Sequence, residues 1–186
     1  MKSFLCCKSV MMQTFVCGFI ALTGSPAIAQ KPDAKFIAEA REIYSTVLNS
    51  SQYSKDEKLV VDDETTPASN WIDHYFDMMT VPGTSAETAA SFMVNNTGLI
   101  SLKKVFASMP RIHFTADGYA ASLASSKGPR NPILTFSNIG FNRKHDQALI
   151  TFSNYCGIRC GAGYLILLDR KKGRWKVTRE FSLWVS

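Results

Sequence analysis

The last third of this chain is a succession of apolar segments with little room between them. Residues 133–141, 147–155, 162–169 and 174–184 read as four strands joined by 142–146, 156–161 and 170–173. Connections this short join antiparallel neighbours, because a parallel crossover takes a dozen or more residues. The C-terminal part is therefore expected to be an antiparallel β-meander. In its last strand Trp175, Val177, Phe181 and Leu183 alternate with Lys176, Thr178, Glu180 and Ser182, which predicts one buried and one wet face. Residues 164–168 are apolar on both faces, which predicts a central, covered strand.

Upstream the period changes. Across 34–48, Phe36, Ile37, Ala40, Ile43, Tyr44, Val47 and Leu48 fall at three- and four-residue steps, an amphipathic helix with Asp33 as its N-cap. Residues 58–66 read as a short strand running into a polar turn. Ser69 opens a second helix through Trp71, Ile72, Tyr75, Phe76 and Met79, broken by Pro82-Gly83. Ser85 caps a third over 86–95, with Glu87 in its first turn, where a negative charge suits the helix dipole. A short helical piece at 102–106, a strand at 111–115 and a Ser- and Gly-rich loop over 119–131 complete the reading. Helices first and a meander last define an α+β fold, with N-terminal helices on one side of a C-terminal curved antiparallel sheet. By analogy alone, the order resembles the cystatin-like folds, including the nuclear-transport-factor-2-like cone. A shared fold would not fix a function.

The N-terminus reads as an export signal. Lys2 and Lys8 precede an apolar stretch over 10–22, Gly24, Ser25 and Pro26 break it, and Ala27-Ile28-Ala29 supplies small residues before Gln30. The stretch is shorter than the roughly 20 residues of a membrane-spanning helix. Cleavage before Gln30 would take residues 1–29 from the 186 and leave a single domain, 30–186, of 157 residues. That length is enough to bury a sizeable core. No membrane span is expected after cleavage. The signal type points to the periplasm or exterior of a Gram-negative cell.

Cleavage also changes the charge and cysteine counts. The 21 basic residues fall to 19 against 15 acidic ones, a mild net charge of about +4 that does not resemble the dense stripe of a nucleic-acid binder. Of five cysteines only Cys156 and Cys160 remain, and an even count in an oxidising compartment predicts one disulfide. A redox-active pair has two intervening residues at a helix N-terminus, whereas this pair has three and is flanked by strands, which favours a turn-closing bridge. Gly157 and Gly161 are expected to supply positive φ angles.

Alternate turns of a meander lie at the same end of the sheet. Arg143, Lys144 and His145 of one turn should therefore meet Arg170, Lys171, Lys172 and Arg174 of another, opposite the cysteine turn. Such a patch suits an anionic envelope component or another, acidic, envelope protein. A plain solvated turn is the competing reading.

The remaining candidates assemble no catalytic set. His74, His113 and His145 are scattered, no Gly-X-Ser-X-Gly elbow is present, and Asp62-Asp63-Glu64 lacks the spacing of a calcium loop. No catalytic residue, metal ligand or cofactor is assigned.

One resemblance is carried by Phe136-Ser137, Gly140-Phe141-Asn142, Ala148-Leu149, Cys156, Cys160-Gly161, Gly163-Tyr164, Leu167-Leu168 and Gly173-Arg174-Trp175. The pattern resembles a group of uncharacterised exported bacterial proteins. It implies a secreted α+β domain with a paired-cysteine turn and carries no activity across. The leading expectation is a non-enzymatic binding, inhibitory or accessory module of the cell envelope. The alternatives are a protein holding a small molecule in a pocket, and a periplasmic hydrolase or thiol-exchange enzyme.

Overall fold

The structure, a computed structural model, describes residues 32–51, 53, 58–67, 81–116, 131–157 and 159–186. The expected signal segment, the expected helix from Ser69 with His74, and most of the expected 119–131 loop lie outside these residues.

Helix α1 spans Ala34–Ser50, and Asp33 caps it by accepting a hydrogen bond from the Phe36 N–H at 2.7 Å. Strand β1 is Leu59–Asp62. Helix α2, Ala86–Asn95, starts as its sequence dictates, with the Ser85 hydroxyl accepting from the Thr88 N–H. A one-turn helix α3, Leu102–Val105, leads to β2, Ile112–Thr115. Strands β3, Ile133–Phe136, and β4, Gly140–Phe141, precede the long β5, Gln147–Gly157, β6, Cys160–Lys171, and β7, Arg174–Val185.

The result is an α+β protein with one sheet in the order β2-β1-β3-β5-β6-β7, with β4 pairing β5. The meander is present: β5, β6 and β7 are successive antiparallel neighbours. The early strands join the same sheet differently. β1 runs parallel to both β2 and β3, so the sheet is mixed.

The segment expected as one strand over 133–141 is divided, because residues 137–139 leave the ladder to make other bonds. Ser137 stays tied to Thr151, its N–H donating to the carbonyl at 3.0 Å and its hydroxyl accepting from the N–H at 2.7 Å. The Asn138 amide donates to the carbonyls of Asn95 and Gly98 at 2.6 and 2.7 Å, clasping the end of α2. Its side-chain oxygen accepts from the buried Thr65 hydroxyl at 2.6 Å. Buried polar groups are tolerated when paired in this way.

The helices occupy both faces of the sheet, rather than one side as expected. On one face Tyr44, Val47 and Leu48 of α1 and Phe106 after α3 pack on Phe136, Ile150, Phe152, Ile166 and Leu168. Each such side chain, fully buried, contributes about 1.5–3 kcal/mol. The Tyr44 hydroxyl donates to the Ser137 carbonyl at 2.8 Å, and burial pushes its pKa well above the usual phenol value. On the other face Phe92 of α2 packs with Leu149, Leu165 and Leu167. Leu165, Ile166, Leu167 and Leu168 are all buried, so β6 is covered on both faces as its composition requires.

Strand β7 contains the subtler departure. Its pairing with β6 shifts between Leu167 and Leu168, where Thr178 is the extra residue of a bulge. The slip moves the side chains beyond it to the opposite face. Trp175 and Val177 join the core under α1, while Phe181 and Leu183 pack against the Phe92 cluster. The alternation is real, but it serves two cores.

Candidate functional site

The two basic turns meet. The β4–β5 turn and the β6–β7 turn lie at one end of the sheet, with the Arg170 N–H donating to the Asp146 carbonyl at 2.7 Å. Gln147 is register partner to Asp169 on the intervening strand pair. The other end of β5 and β6 carries the Cys156–Cys160 disulfide, so the cysteine turn lies opposite.

The β6–β7 connection is a two-residue loop, since Lys171 pairs with Arg174. Lys172 at φ 52° and Gly173 at φ 78° are both left-handed. A type I′ hairpin turn requires that conformation at both positions. Asn or Gly is the usual first residue, and a lysine there carries backbone strain on the order of 1–2 kcal/mol. His145, in the other turn, has φ 51°. Among the described residues, His145 and Lys172 are the non-glycine positions with positive φ, and both lie in this cluster.

The basic residues and His145 divide into two sets. His145 and Arg170 converge on Glu39 of α1. The His145 Nδ1 lies 3.0 Å from one carboxylate oxygen, and the Arg170 guanidinium lies 3.5 Å from the other. The Glu39 side chain is only 10% exposed. His145 also stacks on Phe141, with ring centroids 4.6 Å apart, and the Arg170 guanidinium lies over the Trp175 ring at 5.7 Å. The Trp175 indole N–H is buried and has no hydrogen-bond partner among the described residues, while its backbone N–H donates to Glu42 at 3.4 Å. Arg143, 89% exposed at its side chain, makes a loose ion pair with Glu87 of α2 at 3.5 Å. The second set is Lys144, Lys171, Lys172 and Arg174. All four are exposed and make no ion pair or side-chain hydrogen bond among the described residues.

Sequence reasoning placed the six cationic positions and His145 but missed the two glutamates, Glu39 and Glu87, that meet them. The available signal was modest. Glu39 and Glu42 are three residues apart on one helix, so they share a face. Nothing local ties Glu39 to His145, which lies 106 positions away.

The other candidates stand apart from this end. His113 is exposed on β2 between buried Ile112 and half-buried Phe114. Asp63 pairs with Lys103 at 2.9 Å. No group of three His, Cys, Asp or Glu able to hold a metal occurs among the described residues. No helix among them is long and apolar enough to cross a membrane.

At the opposite end Gly157, at φ 145°, adopts the left-handed conformation expected of it. Gly161 does not have a positive φ. Its missing Cβ leaves room instead, since a methyl there would lie 2.7 Å from the Asn154 carbonyl and 3.1 Å from the Trp184 ring. A methyl on Gly163 would strike the Trp184 indole directly. The two glycines therefore seat Trp184, whose ring lies 5.4 Å from Tyr155.

Comparison with protein-family models, curated proteins and solved structures returns no match.

Proposed function

We propose that the mature chain is an exported, non-enzymatic binding or accessory module of the cell envelope, and that its basic end contacts an anionic partner. The observation that carries this reading is the pair of strained turn residues. His145 and Lys172 hold left-handed backbone conformations at the tips of two turns that the sheet brings together. Such strain persists only where surrounding structure enforces it, and it concentrates at sites of function. A glycine at position 172 would relieve it, but without placing a charge there. The four exposed cations beside these positions, unpaired among the described residues, give the end a local positive field.

The test is retention on envelope material. Wild-type protein should bind a native envelope fraction at low salt. A variant with Lys144, Lys171, Lys172 and Arg174 changed to Glu should lose that retention while keeping its fold by circular dichroism. Unchanged retention of the folded variant sinks the reading.

A further inference from the structure

The division of the cations has a consequence for the kind of anion that fits, and it rests on the reading just given. A compact anion such as a single phosphate is held best where cationic groups converge on one point. Among the described residues the basic end has one such point, where the Arg170 guanidinium and the His145 imidazole converge, and Glu39 fills it at 3.5 and 3.0 Å with a carboxylate that is 10% exposed. Phe141 backs the imidazole and Trp175 the guanidinium, which fixes both in that position.

The unpaired cations do not converge. Lys144 stands on the β4–β5 turn, while Lys171, Lys172 and Arg174 stand at the β6–β7 turn. The strand order β4, β5, β6, β7 separates the two turn centres by two strand spacings, about 10 Å. Three of the four are lysines, point charges on flexible stems that do not demand a planar, bidentate partner.

We infer that this end binds an extended, soluble polyanion lying across both turns, and that Glu39 excludes compact monoanions by occupying their place. Glu39 acts here as a specificity residue, because it takes Arg170, and the imidazole that converges with it, out of competition. The two arms that remain are reached together only by a chain bearing repeated negative groups. Among the described residues the exposed large hydrophobics are Met93, Val94, Leu99 and Val185, and none of them belongs to either turn, so the described turn residues offer charge and no apolar wedge.

Titration of the full mature protein with long-chain inorganic polyphosphate, followed by fluorescence anisotropy of the labelled chain, tests this. With four contacts, affinity should fall roughly fifty-fold as salt rises from about 50 to about 200 mM, using the slope of single-stranded polyanions. Lys144→Ala with Lys172→Ala removes one contact from each arm and should reduce that loss to about sevenfold. Both side chains are exposed, so this variant reports on binding without endangering the fold. Glu39→Gln should deepen the salt-dependent loss about threefold, the share of one added contact, and should let inorganic monophosphate compete where it does not compete with the wild type.

Monophosphate displacing polyphosphate from the wild type at equal phosphate concentration overturns the inference. So does tighter binding to vesicles of anionic lipid than to the soluble chain, or an unaltered salt dependence in the lysine variant. Charge-dependent retention on envelope material combined with any of these results would leave the binding role standing and remove only the polyanion assignment. Absence of both envelope and polyphosphate binding removes both.

Discussion

Gly140 shows how one absent methyl group can locate an entire helix. A Cβ at that position would fall within 2.5 Å of the Phe92 backbone nitrogen and Cα, so α2 rests directly on β4. Flexible side-chain tips could yield to such a methyl, but helix backbone cannot move without moving its residues together. Gly140→Ala should therefore cost close to the upper end of the about 1–3 kcal/mol typical of overpacking. A lower urea midpoint with an unchanged m value checks it. A midpoint within error of wild type would show that α2 shifts freely, and the close packing would then carry no weight. Gly161 and Gly163 use the same device at the other end, making space for the Trp184 ring. At this scale the sequence was only partly informative. It assigned Gly161 a backbone conformation, where the requirement is room, and assigned Gly140 and Gly163 no role. Contact with Trp184, more than twenty positions downstream, is not a local property.

At the scale of elements, the long β5–β6 hairpin ends in the Cys156–Cys160 bridge. Register pairs run from Gln147 with Asp169 to Tyr155 with Gly161, so the hairpin does not depend on the bridge for its alignment. The disulfide's contribution is then the loop-closure entropy of about five residues, about 2 kcal/mol on the chain-entropy model. Cys156→Ser with Cys160→Ser should lower unfolding free energy by about that amount and leave far-ultraviolet circular dichroism unchanged. Loss of strand signal would mean that the bridge organises the hairpin. Which elements were legible follows from where their determinants lie. Helices α1 and α2 begin at Asp33 and Ser85 because capping is a local interaction, and both starts could be read directly. Strands β5 to β7 were equally plain, since short connections leave one pairing available. The break at 137–139 was hidden, because Asn138 is drawn from the ladder by Thr65, Asn95 and Gly98, all more than 35 positions away. The bulge at Thr178 was hidden too, and it divided the expected buried face between two cores.

For the whole molecule, two ends of different chemistry are held apart by the length of β5 and β6: basic turns at one, a disulfide and a seated indole at the other. The export reading belongs to this scale. Protein recovered from its own periplasmic fraction should show the mass of residues 30–186 less two hydrogens; a mass that retains residues 1–29 would refute cleavage, and two additional hydrogens would refute oxidation. The parallel placement of β1 carries a different consequence, for the order in which the sheet assembles. β5, β6 and β7 close across connections of about two residues, whereas β1 must find β3 across about 70. On the logarithmic cost of loop closure that difference is about 3 kcal/mol. Chain entropy therefore ranks the hairpins as early pairings and β1 as a late one, entering between β2 and β3 once their neighbours exist. A strand near the start of the chain becomes one of the last rungs of the sheet, and until it docks the edge of β3 stays open to any other strand that can reach it.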